Sequence, residues 1–329
     1  SPVLSPGKYE QLQQFEHQEF EKATISLLYN PAQRNLQEAL LAIADEAARA
    51  TREGKSLLFL SDKGLEPGLL PVASLLATGA VHHRLITDGL RCDTNIVVET
   101  AAARDSHQIA TLIGFGATAV YPYLSFNVIS DMLRSGELLG DEISAHTRYR
   151  RGINKGLMKI LSKMGISTIA SYRGAQLFEA VGLAREVVDL CFRGCASRIE
   201  GARFVDLERE QAELAKRAWS RRKPIEQGGL LKYVHGGEYH AFNPDVVTTL
   251  QRAVQTGDYA TYRDYAGLVN ERPVASIRDL LGLKAEGPAI PLDEVEPVEA
   301  ITRRFDSAGM SLGALSPEAH EALAAGMNR

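Results

Sequence analysis

The chain is poor in cysteine, in long apolar runs and in excess charge of either sign, and each shortage excludes a class of protein. Three cysteines among 329 residues are too few for a disulfide framework, so we expect reduced thiols in a cytoplasm-like compartment. No apolar run approaches the roughly 18 residues that a membrane span needs. A net charge of −4 gives no electrostatic reason to expect a nucleic-acid or membrane partner.

Short apolar runs alternate with amphipathic segments along the first two-thirds of the chain. The clearest strand is Ser56–Leu60, and the clearest helix is Leu36–Thr51 with Asn35 as its N-cap. This alternation predicts an α/β fold with a mostly parallel sheet, either TIM-barrel-like or open, followed by a helical C-terminal part. Further strands are predicted at 84–86, 94–99, 118–123, 165–172 and 187–191, and further helices at 69–80, 105–114, 127–135, 148–164, 176–181, 200–222, 245–255 and 259–269.

The last thirty residues have the pattern of a new domain. Met310–Leu315 is small and apolar, as a buried strand is, and Ser316-Pro317-Glu318 is typical of a helix start. A single βα unit cannot bury its own apolar faces. We therefore expect the chain to be part of a longer protein, and the N-terminus, which has no basic or apolar leader pattern, to be internal to it.

A glycine-rich loop brings an acid and a base close together in the sequence. Glu238 and His240 could act as a general acid and base. Loops of this composition more often use such side chains to satisfy their own amides, so we favour a structural turn.

Two further pairs have the residue types of metal ligands but not the arrangement. His82 and His83, if on a strand, point to opposite faces and cannot converge on one ion. Cys191 and Cys195 supply only two thiols at an uncommon spacing, whereas zinc and iron–sulfur sites use three or four ligands. We predict no metal site and no nucleophile–base arrangement in this chain.

Long motifs follow one another along almost the whole sequence. They are Val81-His-His-Arg-Leu-Ile, Ile96-Val-Val-Glu-Thr-Ala-Ala-Ala-Arg104, His107-Gln-Ile-Ala-Thr-Leu-Ile-Gly-Phe-Gly-Ala117, Ser171-Tyr-Arg-Gly-Ala-Gln176, Gly236-Gly-Glu-Tyr-His-Ala-Phe-Asn-Pro244 and Met310-Ser-Leu-Gly-Ala-Leu-Ser316. In these motifs the chain resembles the central region of the glutamate synthase large subunit, running into the start of its flavin-binding synthase domain.

The resemblance implies an oxidoreductase of glutamate biosynthesis in the intact subunit. An N-terminal amidotransferase domain hydrolyses glutamine with its first-residue cysteine, and ammonia is channelled to a barrel that holds FMN. A 3Fe-4S cluster passes electrons from a small NAD(P)H-oxidising subunit or from ferredoxin. Ser1 is not that cysteine, and Cys191 and Cys195 do not match the cluster cysteines. We therefore expect no catalytic residue, metal or cofactor in this chain alone.

The resemblance also assigns roles to residues near the C-terminus. Met310, Ser311 and Gly313 would form part of a flavin pocket. Ser316 and Glu318 would belong to a loop that couples the two active sites at the tunnel mouth. A plain N-cap with a first-turn acid explains Ser316 and Glu318 equally well.

The residue patterns and the resemblance together predict how the chain is divided into domains. Residues 1–24 lead in from the amidotransferase domain, 25–285 form the central domain, 286–300 form a linker, and 301–329 begin the synthase barrel. We predict a scaffold that lines the ammonia tunnel and couples the two sites, in the cytoplasm or the plastid stroma. The alternatives are a stand-alone barrel enzyme that uses Glu238 and His240, and a module that only docks neighbouring domains.

Overall fold

The computed structural model describes residues 1–220, 228–311 and 313–328. The chain divides after Pro224 into two compact units. The strands are β1 (Lys22–Ser26), β2 (Leu28–Tyr29), β3 (Leu57–Ser61), β4 (Leu70–Pro71), β5 (Asn95–Glu99), β6 (Ala119–Tyr121), β7 (Glu179–Leu183) and β8 (Ala196–Ala202). The helices are α1 (Pro6–Gln14), α2 (Leu36–Arg52), α3 (Ser74–Thr87), α4 (Ser106–Gly114), α5 (Tyr123–Arg134), α6 (Glu142–Lys163), α7 (Ile169–Tyr172), α8 (Arg185–Cys191), α9 (Phe204–Ala218), α10 (Pro244–Thr256), α11 (Tyr259–Asn270), α12 (Val298–Thr302) and α13 (Pro317–Asn328).

A parallel sheet with the order β1-β3-β5-β6 forms the centre of the first unit. All five residues of β3 are buried, because β3 is an inner strand with packed side chains on both faces. Leu58 and Leu60 enter the larger core, which α2, α3 and α4 cover. Leu57 and Phe59 enter a smaller, aromatic-rich core on the other face, together with Tyr9, Val97, Tyr121 and Phe126.

Local capping chemistry fixes where two of these helices start. Asn35 accepts a hydrogen bond from the N–H of Glu38, whose side chain accepts one from the N–H of Asn35. Asp105 and Gln108 form the same reciprocal pair at the start of α4. The Asn35 cap was predicted from the sequence and is confirmed.

The predicted fold class is confirmed: the chain is α/β, its main sheet is parallel, and its C-terminal part is helical. In the described residues the main sheet is one open row of four strands. Val3 adds one parallel bridge to Val120 at the β6 edge. The second unit contains α10 and α11, which pack on each other, and the exposed α12 and α13. No helix in the described ranges combines the length and apolar character of a membrane span.

Four short elements in the first unit were predicted as the wrong type. Residues 84–86 are the last turn of α3, in which Arg84 pairs with Asp88 at 3.0 Å. The strand predicted at 165–172 is a turn followed by α7, and the helix predicted at 176–181 contains the start of β7. The strand predicted at 187–191 is α8. Apolar runs of four to eight residues suit a buried strand and a buried helix equally, so their packing decides.

Several predicted boundaries also need correction. The helix predicted from Leu69 begins at Ser74, after β4, and the helix predicted from Glu200 begins at Phe204, after β8. Arg221 and Arg222, at the end of that prediction, lie outside the described residues. The lead-in segment contains α1, whose Tyr9 is buried, so it is not a surface segment throughout. Around Met310 the described residues form no strand, and Leu312 is not among them.

Gly156 provides a test of how closely α6 packs on α4. A Cβ at Gly156 would lie 2.0 Å from Ser106 Oγ, whereas a Cβ at Gly152, one turn earlier, would meet nothing within 4 Å. We expect Gly156→Ala to lower the free energy of unfolding by about 1–3 kcal/mol through overpacking. Gly152→Ala should raise it by up to about 1 kcal/mol through helix propensity. Chemical denaturation of both variants checks this.

Ser106→Gly in the Gly156→Ala background should recover most of the loss, because it removes the side chain that the new methyl group meets. Equal stability of the Gly156→Ala and Gly152→Ala proteins would contradict the close packing described.

Candidate functional site

Polar side chains follow β3 and β5 at the carboxyl edge of the sheet, where open α/β sheets bind their ligands. Ser61 is paired in register with Glu99, and its Oγ donates to Glu99 Oε2 at 2.6 Å. One residue further on, Thr100 Oγ1 donates to Asp62 Oδ2 at 2.6 Å. All four side chains are buried. We call Asp62 and Glu99 the carboxylate pair.

Asp62 accepts hydrogen bonds that favour its charged form, but its burial disfavours that form. The N–H of Ala101 donates to Asp62 Oδ1 at 2.9 Å, in addition to the bond from Thr100. Burial nevertheless raises the pKa of Asp62 above its usual 3.8, and the hydrogen bonds from Thr100, Ala101 and Tyr123 only partly offset it. Burial and the charge of Asp62 in turn raise the pKa of Tyr123.

One carboxylate oxygen of Glu99 has fewer polar partners than the other. Its Oε1 is buried and accepts no hydrogen bond from any described residue, and the Lys63 Nζ lies 3.7 Å away. Burial and the neighbouring Glu99 raise the pKa of Tyr9, so that phenol stays protonated. In the described part of the chain no group of three or more His, Cys, Asp or Glu is placed to hold a metal ion. The hydrogen bonds of the pair fix the loops after β3 and β5 to each other.

The sequence analysis missed the carboxylate pair. A usable signal was present, because Ser61-Asp62 comes directly after the apolar run 57–60 and Glu99-Thr100 directly after the apolar run 96–98. Parallel neighbouring strands bring such positions together, but only once β3 and β5 are known to be neighbours.

The predicted coupling residues lie at the start of α13 in the second unit. Ser316 Oγ accepts a hydrogen bond from the N–H of Ala319 at 3.3 Å, so Ser316 is the N-cap that the sequence predicts. Glu318 is exposed, and hydrogen bonds from its own N–H and from Ser316 lower its pKa below the usual 4.5. Met310, Ser311 and Gly313 are also exposed.

The loop that contains Glu238 and His240 is closed by main-chain bonds. The N–H of Glu238 donates to Gly228 O at 2.8 Å, and His240 Nε2 lies 2.5 Å from Gly229 O. No hydrogen bond or ion pair joins Glu238 to His240 in the described ranges. The geometry is that of a tight turn whose histidine satisfies a carbonyl.

The paired histidines lie on the helix α3 and not on a strand. His82 Nδ1 accepts a hydrogen bond from Arg91 Nε at 2.9 Å, and burial, then the charge of Arg91, lowers the pKa of His82 to about 4. Cys191 is buried, which raises its pKa to about 12, and Cys195 Sγ donates to Phe178 O at 3.0 Å. Burial raises the pKa of both thiols, which disfavours the reactive thiolate form.

Comparison with known proteins gives the family. Residues 1–184 match the glutamate synthase central domain, and residues 240–329 match a conserved region in glutamate synthase. The first match alone covers more than half of the chain. This α/β chain therefore belongs to the glutamate synthase central domain family.

Individual relatives agree with the family match. The glutamate synthase [NADPH] large chain of Bacillus subtilis is 38% identical over 331 residues, which cover 100% of this chain and 22% of that protein. The ferredoxin-dependent glutamate synthase of Pyropia yezoensis is 42% identical over 310 residues, covering 90% and 20%. Ferredoxin-dependent glutamate synthase 1 of Arabidopsis thaliana is 40% identical over 346 residues, covering 100% and 21%. The chain thus spans about a fifth of the length of these relatives.

Among solved structures, a mutant flavocytochrome b2 with benzoylformate aligns with 52% of this chain and 38% of its own. The TM-score is 0.35 and the identity 14%, so this likeness supports no conclusion about fold or function.

The carboxylate pair predicts that removing one of its hydrogen bonds lowers the free energy of unfolding by an amount that depends on pH. Thr100→Val deletes the hydroxyl that donates to Asp62, and bonds to a charged acceptor contribute about 1.5–3 kcal/mol. Because the pKa of Asp62 is raised in the fold, the carboxylate ionises as pH rises through that value. The loss of unfolding free energy should therefore be largest near neutral pH and shrink as Asp62 becomes protonated.

Thr78→Val is the matched control, because Thr78 is equally buried but donates to the neutral carbonyl of Ser74 at 2.6 Å. Denaturation curves of both variants, from neutral pH to the lowest pH at which the fold persists, separate the two effects. If Thr100→Val lowered the free energy of unfolding by the same amount at every pH, the assignment of an ionised Asp62 would be contradicted.

Proposed function

We propose that this chain is the central part of a glutamate synthase large subunit, together with the opening of its synthase domain. The intact enzyme would convert glutamine, 2-oxoglutarate and reductant into two glutamates. The chain would line the ammonia tunnel and couple the glutaminase site to the synthase site. It would not be catalytic alone.

The observation that carries this proposal is the ordered family match at both ends of the chain. Residues 1–184 and 240–329 match two parts of one kind of enzyme, and the chain spans about a fifth of its relatives. The family model that matches residues 1–184 is named for a central domain. A chain that lies between the two active sites, as the resemblance implies, would serve as a scaffold and would couple them.

The start of α13 supports a coupling role for Glu318. Its carboxylate lies at the positive end of a helix dipole and is stabilised in its charged form. It is exposed and pairs with no cation in the described residues. A carboxylate in this state is available to accept hydrogen bonds from main-chain amides of a neighbouring domain when the loop moves.

The surface of the second unit supports partner domains on the same chain. Leu283 and Leu292 are almost fully exposed, and the described residues of α11, α12 and α13 include none that is buried. This many exposed large apolar side chains would suit a surface that other domains cover. Its large exposed apolar side chains between α11 and the C-terminus include Val274, Ile277, Leu280, Leu281, Ile290, Val295, Val298, Phe305 and Met310.

The cofactors of the intact enzyme would be FMN and a 3Fe-4S cluster. A Cβ added at Gly313 meets nothing within 4 Å and Met310 is 44% exposed, so these residues form no flavin cradle by themselves. They would contribute to a pocket only with other parts of the protein. We derive no chemical step through either group.

The reductant and the compartment are proposed only as classes. One relative is named for NADPH and others for ferredoxin, so the partner would be a small NAD(P)H-oxidising subunit or ferredoxin. The corresponding compartments would be the cytoplasm and the plastid stroma.

Glu318→Gln in the intact subunit tests the coupling role. The rate of glutamine hydrolysis should be measured with and without 2-oxoglutarate and reductant. We expect their activation of glutaminase to fall about 10- to 100-fold, because an amide replaces a charged acceptor worth about 1.5–3 kcal/mol. Flavin absorbance and 2-oxoglutarate binding should stay unchanged.

Glu321→Gln is the control, since Glu321 lies on the same helix, is exposed and is not in the first turn. Full activation in the Glu318→Gln enzyme would leave Glu318 as a first-turn acid only and would contradict the coupling role.

A further inference from the structure

A pocket of about 280 Å³ lies beside α3 in the first unit, and its lining includes neither member of the carboxylate pair. The lining contains the apolar Phe115, Phe178 and Ile86. It also contains the polar His83 and Arg193. Cavities of about 150 Å³ already hold a benzene ring in other proteins. This pocket is therefore large enough for a six-membered ring with one polar substituent.

The Arg193 guanidinium lines this pocket, and the charges of Arg91 and Arg173 act on His82 in its lining. None of the three arginines has a carboxylate partner among the described residues. Arg91 donates only to His82 Nδ1, Thr94 O and Gly116 O, which are neutral acceptors. Arg193 donates to Thr87 Oγ1 at 3.3 Å, and the Arg173 Nε is buried without any partner. The charges of Arg173 and Arg91 act on His82, and that of Arg193 acts on His83.

Neighbouring groups do not neutralise these cations. Burial and then these arginines lower the pKa of both histidines, so the imidazoles add no charge but can still donate a hydrogen bond. Glu179 acts on Cys195 in the lining, but it lies 3.7 Å from Arg198. The pocket therefore presents a cationic side chain, Arg193, that no described carboxylate pairs with and that a bound anion can meet with a charge-assisted hydrogen bond.

Two features of the pocket lining indicate a ligand-binding site. His83 Nε2 lines the pocket side of α3 and is buried without a hydrogen-bond partner. Gln176, also in the lining, has a φ of +52° and is the only non-glycine residue with positive φ in the described ranges. Unpaired polar atoms and strained backbone of this kind collect at binding sites.

We propose that this pocket binds a small organic anion, with its carboxylate on Arg193 and His83 and its apolar body against Phe115 and Phe178. Arg173 and Arg91, whose charges act on His82, add to the positive charge near the site. The proposal is independent of the coupling function, because none of these residues belongs to α13 or to the carboxylate pair.

Benzoate is the test ligand, and benzyl alcohol is its neutral counterpart of the same size. The chain is labelled at its histidine rings, and the signals of His82 and His83 are followed by NMR at constant ionic strength. We expect benzoate to shift both signals saturably with a Kd of about 1 mM or tighter. Benzyl alcohol, and inorganic phosphate as an anion without an apolar body, should bind more weakly.

Arg193→Gln should weaken benzoate about 10- to 100-fold, because it removes a charge-assisted hydrogen bond. Arg134→Gln, on α5 outside the pocket lining, should have no effect. Ile86→Trp is a second variant that fills the pocket without altering its charge, and it should abolish binding. No saturable shift with benzoate, equal binding of benzyl alcohol, tighter binding of phosphate, or unchanged binding in the Arg193→Gln protein would each overturn the proposal.

Discussion

The rest of the first unit depends on the burial of β3 on both of its faces. Leu57 and Phe59 point to one core and Leu58 and Leu60 to the other, so the strand can exist only with packed layers on both sides. The helices after β1, β3 and β5 cover one side. On the other side the aromatic core requires Tyr9 from α1, which is why the N-terminal segment is drawn onto the sheet.

The same constraint creates the carboxylate pair. The register that aligns Leu57–Leu60 with Asn95–Val98 also aligns Ser61 with Glu99, at the point where the apolar residues end. Charges at this depth are costly unless they are hydrogen-bonded. Each carboxylate therefore takes a hydroxyl from the neighbouring strand end, Asp62 from Thr100 and Glu99 from Ser61. The loops after β3 and β5 are thus fixed to each other by polar bonds that the packing of β3 has positioned.

Sequence patterns predicted the parts of the structure that are decided locally. The caps at Asn35 and Ser316 were predicted because capping involves residues only three positions apart. The helix α8 was missed because Val187 and Val188 suit a strand, and only packing against α3 makes them helical. The carboxylate pair and the arginines around the pocket come from separate elements. Their proximity depends on strand order and helix packing, which one sequence does not encode locally.

A substitution in the packed first unit reports mainly on stability, whereas a substitution at Glu318 in the second unit can report on function. Thr100, Gly156 and Phe59 are built into packed contacts of the first unit, so changing them alters stability before it alters anything else. Glu318 has no buried contact, and its charge is already satisfied by its own N–H and by Ser316. Replacing it costs the described fold almost nothing. A loss of function at Glu318 would therefore report a contact made with another part of the enzyme, which is the property that a coupling residue must have.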